Sequence, residues 1–225
     1  MGIVETIALS MGAAWASGIN LYAAVFVLGY MGATGNMDLP PDLEILSNPM
    51  VMAAAGFMYV VEFFADKVPG VDSGWDTLHT FVRIPAGALL AAGAVGEVGP
   101  AAELAALIIG GGLAAGTHFT KAGSRVLINP SPEPVTNWTA SIGEDVAVIA
   151  GLWAAVNHPW VFLTLLVLFI VLMVWLLPRL WRAIKWLFAK LRSLFGGAAP
   201  APMTLETSKP LPGPGTADGR PPDRE

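Results

Sequence analysis

The sequence predicts an all-α, polytopic membrane protein with about six crossings. Three observations carry this. Of the 225 residues, 55% are hydrophobic and only 13% charged, where a soluble domain carries about 25% charged residues; mean hydropathy is +0.62. Apolar stretches long enough for a helix to cross a ~30 Å hydrocarbon layer recur along most of the chain. The cations, finally, are unevenly spread, with eight of the 12 Lys and Arg following the last apolar stretch. No ten-residue blocks alternate with period two, which argues against a β-barrel. The chain has no Cys, so disulfides and thiolate metal sites are excluded. No basic soluble patch points to nucleic acid, and no motif calls for a cofactor.

The apolar stretches are residues 2–34, 49–65, 77–96, 99–116, 135–156 and 159–178. The first is not expected to be a cleavable leader, because it has no Lys or Arg before its apolar run and carries Glu5. As one straight helix it would measure about 50 Å. It contains Ser17-Gly18-Ile19-Asn20, a combination that breaks helices. Two arrangements fit: one oblique crossing with a broken helix, or a tight helical hairpin that returns the chain to the side it came from.

Orientation follows from the cations. If the C-terminus is cytoplasmic, alternating the remaining spans places Lys67, Arg83, Lys121, Arg125 and the eight Lys and Arg after residue 178 all on the inside. Asp38, Asp42, Glu44 and Glu97 fall on the other side, with no cation among them. This is the positive-inside pattern. It does not choose between the two arrangements of the first stretch.

The two halves, residues 1–96 and 99–178, carry a hint of an inverted 3+3 repeat. Gly12-Ala-Ala-Trp-Ala-Ser-Gly18-Ile-Asn20 aligns without gaps to Gly110-Gly-Gly-Leu-Ala-Ala-Gly116-Thr-His118. A Pro-marked connector and then an acid-bearing span follow each copy. Inverted repeats with broken helices near 17–20 and 116–118 are an architecture of secondary transporters, which bind their substrates near mid-membrane where helices break. Gly/Ala-rich spans also align with one another by composition alone.

Acids inside spans point to chemistry, because a charge there costs about 2.5–3.5 kcal/mol on insertion scales. Glu62, Glu144 and Asp145 are the candidates for an ion or proton site, with Asn20 and His118 as neutral ligands at the two breaks. Such oxygen ligands suit hard cations, Na⁺, Mg²⁺ or Ca²⁺; the sequence does not say which metal, if any. Glu144 and Asp145 point about 100° apart, so they share one small site only if Gly143 distorts the helix. No cation on their own helices neutralises Glu62 or Glu144, so partners must come from elsewhere. The bland alternative is neutralised acids that only pack helices together.

The turn after residue 65 is the other dense stretch. Asp66, Lys67, Asp72, Asp76, His79 and Arg83 are candidates for a gate on the cytoplasmic side, or for an interfacial salt-bridge lattice. Asp72 or Ser73 can cap the next helix, and Asp76, His79, Thr80 and Arg83 share one of its faces. Pro85 is expected to kink that span. No nucleophile stands beside the His and no hydrolase or phosphate-binding motif is present, so no enzyme is expected.

These residues also carry a resemblance. Glu62…Ala65-Asp66-Lys67-x-Pro69-x-Val71-Asp72-x-x-Trp75-Asp76-x-x-His79-Thr80-x-x-Arg83-x-Pro85-Ala86-Gly87 resembles the hallmark of a bacterial membrane family catalogued as domain of unknown function 4126. The resemblance covers roughly residues 5–178. It implies an integral protein of the bacterial cytoplasmic (inner) membrane and no particular activity.

Beyond the membrane domain (residues 1–178), residues 179–195 read as a basic amphipathic helix. Arg179, Arg182, Lys185, Lys190 and Arg192, with Trp181 and Trp186 as anchors, are expected to lie on the inner leaflet against anionic lipid. The alternative is an extension of the last span that packs on a partner. Residues 196–225 hold seven Pro and five Gly and read as a disordered cytoplasmic tail. The leading functional expectation is a small permeation protein, coupled to or conducting a cation or proton. The other is a membrane scaffold or lipid-organising protein whose acids are structural. Oligomeric state is not legible.

Overall fold

Among the described residues, six α-helices stand where the six apolar stretches predict them. They are α1 (Ile3–Ala33), α2 (Pro49–Ala65), α3 (Val71–Gly93), α4 (Pro100–Ile128), α5 (Pro134–Asn157) and α6 (Pro159–Leu194) in a computed structural model that describes residues 1–68, 71–128 and 134–194. Short 3-10 helices, Pro41–Ser47 and Gly96–Val98, fill two connections. No strand occurs among the described residues. Residues 1–188 form one compact unit. The tail read as disordered lies outside the described residues.

Several helix starts follow directly from local chemistry. Pro stands at the first position of α2, α4, α5 and α6, where its missing N–H costs nothing. Asn48 caps α2 by accepting from the Met50 N–H. By length and composition, α1, α4, α5 and α6 are able to cross a membrane, and α2 joined to the 3-10 helix before it, bent by 67°, makes a fifth. α3, which carries Asp72, Asp76 and Arg83, is not among them. Asp72 and Ser73 sit inside its first turn rather than before it, so neither is the cap expected from the sequence.

The first helix is a hairpin, which settles the alternative left open by the sequence. Asn20 has non-helical backbone angles, φ −146° and ψ 97°. Met1, Glu5, Thr6 and Leu9 line the same cavity as Met37–Pro41 and Glu44. A straight 31-residue helix would hold its ends about 46 Å apart. The chain therefore runs in along residues 3–19, turns at Asn20 and returns along residues 21–33. The N-terminus lies on the same side as the 35–48 connection.

Small residues let the hairpin and α3 and α4 approach closely. Ser10 Oγ donates to the Ala91 carbonyl and Ser17 Oγ to the Arg83 carbonyl, which sets the first arm antiparallel to α3. A Cβ on Gly87 would meet the Ala114 side chain, and one on Gly18 would meet the Ala114 backbone carbonyl. Gly110 faces Ala91 with no room for a side chain. Such seams replace the hydrophobic drive that lipid cannot supply between helices. They also explain why the two Gly/Ala-rich segments align: both are packing faces, and Gly18 lies directly against α4.

The second break of the proposed repeat is not present. α4 runs as one helix through 116–118, and the Thr117 and Thr120 hydroxyls donate back to the Leu113 and Gly116 carbonyls within the same helix. Glycine lowers helix propensity by about 1 kcal/mol, which packing against α3 readily offsets. α6 is also a single helix from Pro159 to Leu194 with Pro178 inside it. Leu180 is buried, and it packs with Ile184 near Gly123 of α4. At least this end of the arm continues the last span and packs on the bundle.

Candidate functional site: a buried ionic network at the hairpin turn

The turn at Asn20 opens onto a network of charged side chains from α2, α3, α4 and α5. Arg83, fully buried on α3, donates from Nη2 to Glu62 Oε1 at 2.5 Å and from Nη1 to Asp76 Oδ1 at 2.8 Å. Lys121, on α4, places Nζ 3.0 Å from Asp66 Oδ2 and 3.1 Å from the Ile19 carbonyl. The same ammonium is 3.6 Å from Glu62, 3.6 Å from Glu144 and 3.8 Å from Asp76. One turn further along α4, Arg125 grips Glu144 with two hydrogen bonds, 3.2 Å from Nε and 2.6 Å from Nη2. Arg125 Nη1 also donates to the backbone carbonyl and side chain of Asn137. Asn137 in turn donates to the Asp66 carbonyl.

Glu144 and Asp145 thus part company, as their 100° separation requires. Glu144 turns to Arg125 and Lys121. Asp145 is the more buried of the two and accepts from Asn20 Nδ2 at 3.0 Å. The structure pairs Asn20 with Asp145 rather than with Glu144. Glu62 and Glu144 do not touch each other; they share Lys121. The position expected for a free cation between them holds a protein ammonium.

His118 is not a ligand at a break. It lies inside α4 with Nε2 2.7 Å from Thr80 Oγ1 and Nδ1 3.4 Å from Arg83 Nη1. Thr80 Oγ1 already donates to the Asp76 carbonyl, and an arginine only donates. The neutral ring therefore carries its proton on Nε2. His79 is fixed in the opposite tautomer: Nδ1 faces the Trp75 carbonyl at 2.9 Å, so Nε2 accepts from the Tyr22 hydroxyl at 3.0 Å. Both histidines have a hydrogen-bond partner at each ring nitrogen.

The residues read as a cytoplasmic turn or gate are part of this same network. Asp66, Asp72, Asp76, His79 and Arg83 are all buried. Lys67 stands at the edge, with Nζ donating to the Phe63 carbonyl and lying 2.9 Å from the centre of the Phe63 ring. Asp66, Asp72 and Asp76 each present one carboxylate oxygen within 4.8 Å of the others, a grouping able to hold a metal ion. Around the network, Glu62, Asp66, Asp72, Asp76, Glu144 and Asp145 outnumber Lys67, Arg83, Lys121 and Arg125 by two formal charges. Among the described residues, Glu62 Oε2, Asp66 Oδ1 and Asp76 Oδ2 are buried with no hydrogen-bond partner.

Sequence reasoning missed Lys121, Arg125, Asn137 and Tyr22 as members. The signal for the first two was present. Lys121 and Arg125 are one helical turn apart, and extending the 99–116 span by three turns would have carried them into the bundle. At the far end of α6, Arg179, Arg182, Lys185 and Arg192 are exposed, as are Trp181 and Trp186, and Arg179 and Lys185 lie over the Trp175 and Trp181 rings. The sequence profile of a family described as Domain of unknown function (DUF4126) matches residues 7–179. No curated protein and no solved structure matches the chain.

Proposed function

The chain belongs to the DUF4126 family, and from that premise we propose that it is a multi-pass membrane permeation protein that conducts, or is coupled to, a proton or small cation. The observation that supports this reading is the meeting of a helical hairpin turn with a buried network that holds more carboxylates than cations. Irregular backbone at membrane depth is tolerated where it lines protein or a polar cavity. Helix breaks facing acidic side chains are where transporters hold ions. A buried carboxylate excess must be balanced by protons or by a bound cation. Glu144 and Asp145 are assigned to the moving charge, and Asn20 positions Asp145.

In this reading the C-terminus is cytoplasmic, in a bacterial inner membrane, and the exposed cations of α6 meet anionic headgroups. Flux in proteoliposomes, over a panel of monovalent and divalent cations and an imposed pH gradient, tests the proposal. The intact protein is expected to move protons or one of these cations. Glu144→Gln and Asp145→Asn are expected to lower that flux at least tenfold while the protein still purifies. No flux with any of them would defeat the reading.

One observation favours a scaffold instead: the pair of Arg83 with Glu62 ties α3 to α2 as a structural staple would, and the pair with Asp76 braces Arg83 along α3 itself. Under that reading Glu62→Gln and Glu144→Gln leave function intact, and removal of residues 179–195 abolishes it.

A further inference from the structure

We propose that the oxygens around Lys121 Nζ form a binding site for a small monovalent cation whose resident occupant is the lysine's own ammonium. The inference rests on reading the network as the ion-handling site and sharpens it. It makes one of the charges in that site a tethered one.

The site is built by the hairpin turn. In an unbroken helix the Ala23 N–H would bond to the Ile19 carbonyl. Here Asn20 leaves the helical conformation, and its Oδ1 accepts from the Ala23 N–H at 2.9 Å instead. The Ile19 carbonyl is thereby released, and it accepts from Lys121 at 3.1 Å. Asp66 Oδ2, Glu62 Oε1, Glu144 Oε2 and Asp76 Oδ1 complete a shell within 3.8 Å. An unwound carbonyl joined to carboxylates is the oxygen shell that holds a bare cation at a broken membrane helix.

An ammonium has three donors, and five oxygens surround this one. Part of the shell therefore acts on its charge rather than through directed hydrogen bonds. Unspent acceptors also remain: Glu62 Oε2, Asp66 Oδ1 and Asp76 Oδ2 are buried without hydrogen-bond partners. Lys121 is 5% exposed, and its stem descends from α4 into the shell. Cutting that stem back to Ala removes four heavy atoms. It leaves a channel-shaped vacancy whose inner end, where the ammonium sat, is lined by oxygens and short of one positive charge.

The test is thermal unfolding of the purified full chain in detergent, at constant ionic strength held with choline chloride. Methylammonium, ammonium, Na⁺ and K⁺ are titrated in turn. The wild-type midpoint is expected to stay flat with all four. The midpoint of Lys121→Ala is expected to fall by about 10 °C. Methylammonium should restore it saturably, with smaller recoveries for the other three and none for choline. Lys121→Met, which refills the space without charge, should fall and stay down. Should Lys121→Ala not accumulate, Lys121→Ala/Glu144→Gln, with one carboxylate fewer, is titrated instead and must show the same order of cations. A Lys121→Ala midpoint that no cation moves, or a wild-type midpoint that follows the cations equally, overturns the proposal. None of these readings depends on flux, so failure here and failure of the permeation reading are told apart.

Discussion

Two acidic regions lie at opposite ends of the α1 hairpin, and they solve the same electrostatic problem differently. At the open end, Glu5, Asp38, Glu44 and Glu97 line a cavity of about 680 Å³ beside the N-terminus, with no Lys or Arg among the lining residues. All four acids are exposed. At the turn, Glu62, Asp66, Asp76 and Asp145 are buried, and the first three lie within reach of Arg83 or Lys121. Water screens like charges at the open end, so no counter-charge has to be folded in. At the turn water is excluded, and each carboxylate left ionised costs several kcal/mol unless a cation or donors face it. The contrast teaches that a count of acids says little about a site in a membrane protein. What the acids face decides whether they are a surface feature or a device.

Substitutions that remove a partner at the turn should break this contrast most sharply. Arg83→Met leaves Glu62 and Asp76 buried without their guanidinium, and a loss of about 3–5 kcal/mol is expected. It would appear as a large drop in the unfolding midpoint, or as failure to accumulate in the membrane. A midpoint within a degree of wild type would show that the buried acids are neutral without it.

A smaller effect is expected at the hairpin itself. Asn20→Leu removes the donor to Asp145 and the acceptor for the Ala23 N–H, at a cost of about 1–3 kcal/mol. It should also lower flux, because Asp145 loses its positioning. Unchanged stability together with unchanged flux would remove the hairpin turn from the site.

The open end should be nearly silent in stability. Glu5→Gln and Glu44→Gln are each expected to change it by no more than about 0.5 kcal/mol. Their effect should be on cation entry at low salt, fading as ionic strength rises. The geometry of this end can be checked in the Cys-free chain. Gly2→Cys and Asp42→Cys should be labelled by an impermeant thiol reagent from one side of the membrane, and Val71→Cys from the other. Labelling of positions 2 and 42 from opposite sides would turn the hairpin back into a crossing.

The all-helical membrane class and the position of each helix were legible in the chain, because apolar runs and Pro or Asn starts are local signals. The break at Asn20 was legible too, and so were the acids that needed partners. Its use as a hairpin turn was not, since an extended residue inside a long apolar run serves a bend or a reversal equally well. Only the packing of residues 3–19 along α3, and the return of residues 21–33 toward the N-terminal cavity, decided it. Likewise, composition marked Lys121 and Arg125 as inside cations without saying that they point into the bundle. A cation lowers its energy either by reaching water or by meeting carboxylates, and the sequence alone favours neither. The long α4, held against α3 by glycine and alanine contacts, carries these two side chains past the membrane surface's pull and into reach of Glu62, Asp66 and Glu144. That placement is a property of the assembled helices and of no single one.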